Sequence, residues 1–226
     1  METRRPVYAA ALVLPFFVIY HAGTVVFRTT YVNGADALIV RILSLLSVHS
    51  VFASALVLLA AFVIWQLKTR ASWRIDSGKL IALYLESLLF AAMLFLLFGW
   101  LPVRLSRPAP GLGDIGLVQQ LVLYCGAGVY EELVFRGFLL TALMFAVTRL
   151  AGFRRAAAAV VSAVAAALLF SLFHYVGPQG DSFTLAGFVQ RALGGLYFSV
   201  LFVTRGFGVA AATHALYDVI VGLSRW

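Results

Sequence analysis

The chain has 226 residues, 63% of them hydrophobic and only 12% charged, with a formal net charge of +8. Soluble domains are typically about 45–50% apolar and about 25% charged, and a domain of this size still needs a polar skin, so a water-soluble globule is excluded. The basic residues sit mainly between apolar runs, where they orient a membrane protein, so lipid and not nucleic acid is the expected partner.

Arg4 and Arg5 precede an apolar run that continues to Phe27. The run is too long for the apolar region of a signal peptide, and many further apolar segments follow, so it reads as a retained first transmembrane helix. A helix crosses roughly 30 Å of hydrocarbon with about 20 apolar residues, and about seven segments qualify. They are 7–27, 37–65, 79–101, 117–147, 156–176, 184–204 and 207–223. The second and fourth are long enough to tilt, kink or extend beyond the bilayer. Pro102, Pro108 and Pro110 with Gly111 and Gly113 mark a loop after the third, and Pro178 with Gly180 marks a turn after the fifth. There is no internal repeat and no low-complexity linker. The expected fold is all-α, a polytopic transmembrane helical bundle in one integral membrane domain, 1–226.

Orientation follows from the loops. Arg4, Arg5, Lys68, Arg70, Arg74, Arg149, Arg154, Arg155 and Arg205 fall on one side, against Arg28, Arg104, Arg107 and Arg225 on the other. That bias predicts a cytoplasmic N-terminus. Only Lys68 and Lys79 among the 17 basic residues are lysines, which hints at a GC-rich bacterial genome and hence a bacterial inner (plasma) membrane. Cys125 is the only cysteine, so neither an intramolecular disulfide nor a thiolate metal site is available. Gly126, Gly128, Gly137, the alanines around 156–167, Gly187, Gly194 and Gly195 suit close helix packing in lipid.

Against this background, Glu131, Glu132 and Arg136 stand out in the fourth apolar segment. Each charge at mid-helix costs about 2.5–3.5 kcal/mol on insertion scales, so all three must face protein or water. Glu132 and Arg136 are four apart and can pair on one face as an architectural lock. Glu131 is rotated from Glu132 by about 100° and is left to point elsewhere, which suits a general base. The fifth segment carries Phe170 and His174 on one face, the ring able to wall a pocket beside the imidazole. The seventh carries His214 and Asp218, again four apart; Asp218 can orient His214, or both can ligate a metal. Together these supply a base, an orienting group and oxyanion donors, the parts that amide hydrolysis needs. The spans alone put His174 near the outer end of its helix and His214 nearer the cytoplasmic side, so they do not by themselves bring the two together. His21 and His49 read as packing or interfacial residues, and Glu86 and Arg191 as candidates to pair with each other or with Arg41.

The ordered trio Glu131-Glu132-x-x-x-Arg136, Phe170-x-x-x-His174 and His214-x-x-x-Asp218 resembles the three signatures of the CAAX protease and bacteriocin-processing (CPBP, Abi-type) intramembrane proteases. The resemblance covers about 117–223. It implies an intramembrane endopeptidase that cleaves near the C-terminus or beside the membrane segment of a membrane-associated or lipidated peptide or protein. On this sequence, Glu131 and His174 would activate water, His214 and Asp218 would line the site and stabilise the oxyanion, and Glu132, Arg136 and Phe170 would support them. The third motif commonly ends in Asn. Asp218 cannot donate a hydrogen bond when ionised, which leaves orienting His214, being protonated or holding a metal as its roles. Glu131, His174, His214 and Asp218 could hold a divalent metal such as zinc, but no HExxH pair is present, so a metal-free, glutamate-type mechanism is preferred. A proton-coupled transporter and a non-catalytic membrane scaffold or immunity protein are the competing readings of the same buried groups.

Overall fold

A computed structural model of the chain describes residues 4–27, 33–48, 52–99, 116–177 and 180–224. Several residues used above lie outside the described residues: Arg28, His49, Pro102, Arg104, Arg107, Pro108, Pro110, Gly111, Gly113, Pro178 and Arg225. Every regular element among the described residues is helical. In chain order these are α1 (Pro6–Val26), α2 (Gly34–Ser44), α3 (Ala53–Thr69), α4 (Ser77–Gly99) and α5 (Leu117–Glu132). A π-helical stretch, Leu133–Leu140, then leads into α6 (Thr141–Arg149), followed by α7 (Arg155–Phe173), α8 (Leu185–Arg205) and α9 (Phe207–Leu223). By length and hydropathy α1, α4, α7 and α8 can each cross a membrane, while α3 and α9 are shorter apolar helices. Their outward faces carry large apolar side chains such as Leu14, Leu85 and Val160, more than half exposed, a surface that only lipid covers at no cost. The chain is an integral membrane protein.

The predicted span 37–65 is not one helix. α2 ends at Ser44, Ser47 turns the chain with φ at 63°, and α3 begins only at Ala53. The Asn33 side chain caps α2 by accepting from the backbone N–H groups of Ala35 and Asp36, and the buried Asp36 carboxylate accepts a 2.6 Å hydrogen bond from the Tyr20 hydroxyl on α1. These bonds seat α2 against α1 and α5 as a short separate piece. The segment 117–147, in contrast, is one helical run. Its π-helical centre changes the angular phase of the residues beyond Glu132 without ending the helix.

α9 is the hub. Ala210, Ala211, Ala212 and Ala215 are wholly buried on it. Gly208 lies so close to α1 that a Cβ there would fall 2.6 Å from the Ala9 Cα, and one on Gly128 of α5 would fall 2.3 Å from the Ala215 nitrogen. Small residues on both helices let the backbones meet, which is how helices gain dispersion contacts in lipid. At one end of the bundle, Arg4 donates to the Val203 carbonyl and Arg5 donates to the carbonyls of Ser72 and Arg74, both at 3.1 Å. The start of α1, the α3–α4 turn and the end of α8 therefore gather Arg4, Arg5, Arg74 and Arg205 together. Gln66 satisfies one of the unpaired N–H groups at the start of α1, accepting from Val7 at 3.1 Å. Glu86 pairs with Arg205 at 2.5 Å, and Arg191 pairs with Asp181, so the expected pairing of Glu86 with Arg191 or Arg41 does not form. Antiparallel α4 and α8 bring the last residue of α8, and not its first turns, beside Glu86.

Candidate active site

α5 delivers Glu131 and Glu132 to the interior, where each takes different partners. Glu132 and Arg136 are both fully buried, and their ion pair spans 2.9 Å. The same Oε1 of Glu132 lies 2.8 Å from His214 Nδ1. A carboxylate can only accept here, so that ring nitrogen carries the proton. Arg136 also donates a 2.8 Å hydrogen bond to the Gly195 carbonyl and lies over the faces of Phe170 and Phe198, 4.6 and 5.5 Å away. Its counter-charge, a carbonyl and two aromatic faces replace part of the water it has lost, while its buried Nε makes no hydrogen bond among the described residues.

Glu131 points elsewhere. Its Oε2 lies 3.9 Å from His174 Nε2 and 3.9 Å from His214 Nε2. Both separations are too long for a direct hydrogen bond. A water oxygen about 2.8 Å from both ends can bridge either separation without moving its atoms. His174 Nδ1 lies 2.8 Å from the Phe170 carbonyl, which can only accept, so in the neutral ring Nε2 holds a lone pair facing Glu131. Phe170 thus contributes its backbone to the His174 tautomer, its edge to the His174 ring at 4.8 Å and its face to Arg136.

His214 is held on three sides. Glu132 takes Nδ1, the Phe198 ring stacks on it at 4.3 Å with an interplanar angle of 19°, and Asp218 Oδ2 lies 3.5 Å from Nε2. Glu132 therefore fixes the outer nitrogen, the role that Asp218 was open to fill, while Asp218 stands on the inward side with Glu131. Glu131 and His214 are nearly sealed, whereas the side chains of His174 and Asp218 are 25% and 22% exposed, which marks the side from which solvent reaches the cluster.

The depths that looked discordant along the sequence meet because α5 and α9 run antiparallel in close register. Gly128 abuts Ala215, and Gly222 abuts Tyr124. Glu131, three residues beyond Gly128, therefore falls beside His214, and the end of α7 brings His174 to the same level.

Several participants carried no recognisable signal in the sequence. Asn33 Nδ2 donates a 3.0 Å hydrogen bond to Glu131 Oε1. Asn33 is legible as a helix cap, but nothing in its neighbourhood points 98 residues ahead. His21 Nε2 lies 2.7 Å from the Tyr130 hydroxyl, and its ring packs among Phe17, Tyr20, Phe52 and Tyr130. Phe198 and the Gly195 carbonyl lie on α8, which bears none of the three motifs. Among the described residues, no group of three or more His, Cys, Asp or Glu side chains is gathered closely enough to hold a metal ion.

A helical membrane bundle enclosing paired glutamates and two histidines at one interior point belongs to the class of integral membrane proteins with a buried acid–imidazole site. Within that class, residues 114–220, the stretch that holds all three motifs, match the family described as Type II CAAX prenyl endopeptidase Rce1-like. No curated protein and no solved structure matches the chain.

Proposed function

We propose that the protein is an intramembrane endopeptidase that hydrolyses a peptide bond near the C-terminus, or beside the membrane segment, of a lipidated or membrane-associated peptide. The observation that carries this is the equal 3.9 Å spacing from Glu131 Oε2 to the two histidine Nε2 atoms. Water held between Glu131 and His174 loses a proton to them as its oxygen bonds to the scissile carbonyl carbon. The carbonyl oxygen becomes an oxyanion beside His214. Because His214 Nδ1–H is committed to Glu132, the ring donates to the oxyanion through Nε2 only when it carries both protons. Collapse of the tetrahedral intermediate breaks the carbon–nitrogen bond, and the departing amine takes the proton held by Glu131 and His174. Asp218 stands beside His214 Nε2 as the charge partner of that imidazolium, and Glu132 and Arg136 hold the ring from behind.

The chemistry as written needs no metal. The N-terminus is cytoplasmic in this reading, supported by Arg4, Arg5, Arg74 and Arg205 gathering at one end of the bundle. The test is cleavage of a prenylated C-terminal peptide by the full chain in proteoliposomes. The wild type releases the C-terminal fragment, while Glu131→Gln and His174→Ala each abolish release yet accumulate to wild-type levels. Undiminished cleavage by both variants refutes the mechanism.

A further inference from the structure

Asn33 lies far from the three motifs in sequence, before α2, yet its side chain is bonded to Glu131. Its amide is oriented without ambiguity. Oδ1 accepts from the backbone N–H of Ala35 at 2.8 Å and of Asp36 at 3.4 Å, which leaves Nδ2 as the donor to Glu131 Oε1 at 3.0 Å. The backbone N–H of Asn33 is anchored in turn by the Tyr20 hydroxyl at 3.3 Å, and that hydroxyl donates to Asp36. The adjoining Gly34 fits so closely against the end of α7 that a Cβ would meet the Phe173 ring at 3.3 Å. The start of α2 is thus fastened to α1, α5 and α7 at once.

We infer that Asn33 is a positioning residue for the hydrolytic reaction: its amide occupies Glu131 Oε1, sets the carboxylate rotamer, and so reserves Oε2 for water between the two histidines. This rests on the endopeptidase reading given above. The geometry makes the two oxygens inequivalent, one bonded to a neutral donor and the other turned to His174 and His214. It also accounts for asparagine at this position. Aspartate caps a helix equally well but would set a second negative charge against Glu131, and serine caps well but is too short to reach it.

Serine separates the two jobs that asparagine performs. Asn33→Ser retains the cap and loses the donor, whereas Asn33→Ala loses both. The measurements on the full chain in proteoliposomes are kcat and KM for the prenylated peptide, the thermal midpoint, and the infrared carboxylate band that disappears in Glu131→Gln. The expected result for Asn33→Ser is a kcat about ten- to a hundredfold lower, a KM and midpoint close to wild type, and a displaced Glu131 band. Asn33→Ala shows the same kcat loss together with a lower midpoint. Wild-type kcat and an unmoved band in Asn33→Ser overturn the positioning role while leaving the endopeptidase reading intact. A moved band in a protein whose wild type cleaves nothing upholds the Asn33–Glu131 contact and removes the endopeptidase reading instead.

Discussion

Gly128→Ala tests whether close contact of α5 with α9 is what assembles the site. A methyl group at Gly128 would sit 2.3 Å from the Ala215 nitrogen and 2.5 Å from its Cα and Cβ. Carbon atoms rest at about 3.5–4.0 Å, and two of the three obstructing atoms are backbone, so no side-chain rotation relieves the clash. The helices must separate locally by roughly 1 to 1.5 Å. Glu131 lies less than one turn along α5 from the point of separation, and His214 immediately precedes Ala215. Reacting groups tolerate about 0.5 Å of misplacement, and 1 Å can cost on the order of a hundredfold in rate. The expected outcome is about a hundredfold loss in kcat/KM for the prenylated peptide, with a stability loss of about 1–3 kcal/mol, typical of an overpacked core. Gly137→Ala is the control: its Cβ would meet the end of the Leu133 side chain at 3.4 Å and the Glu132 carbonyl oxygen at 3.8 Å, both ordinary contacts, so its kcat/KM stays within about twofold of wild type. If Gly128→Ala turns over substrate at the wild-type rate, close approach of these helices does not set the catalytic geometry and the reasoning fails.

Glu132→Gln leaves the Arg136 guanidinium fully buried without its counter-charge and weakens the hold on His214, so denaturant titration in detergent should show a loss of about 3–5 kcal/mol together with loss of cleavage. Adding Arg136→Met removes the stranded charge and should recover part of that stability, but none of the cleavage, because His214 still lacks the carboxylate charge behind its Nδ1–H. Exhaustive dialysis against a chelator should leave kcat unchanged, and zinc added back should not raise it; activity that falls with the chelator and returns with zinc would move Glu131 and the two histidines into the role of ligands.

The three motifs were legible because lipid makes charge conspicuous. Glu131, Glu132 and Arg136 interrupt an apolar run, and the 3.6-residue period assigns Glu132 and Arg136 to one face, where their 2.9 Å pair is found. Beyond pairs on one helix, that period has little reach. It indicated that Glu131 was free of Arg136, but not that its Oε2 would face His174 and His214 equally. It left Asp218 open to orient His214, whereas Glu132, 82 residues away in the chain, holds that nitrogen. The break between α2 and α3 was invisible for a related reason. Residues 37–65 contain neither glycine nor proline and are almost uniformly apolar, so nothing local ends the helix. What seats α2 as a piece of its own is the contact of Asn33 and Asp36 with groups on α1 and α5.

Composition alone determined the solvent of this protein: with 63% hydrophobic residues the chain cannot cover itself with polar groups, so helices that satisfy their own backbones must face lipid. It also determined which residues were too costly to be there without a purpose. The tertiary structure alone decided how those residues meet, since their convergence depends on where Gly128 lets α5 touch α9, how far α7 extends before His174, and which helix end Asn33 brings to Glu131. Those contacts join residues 43 to 98 positions apart, and a local pattern of hydropathy holds no information at that range.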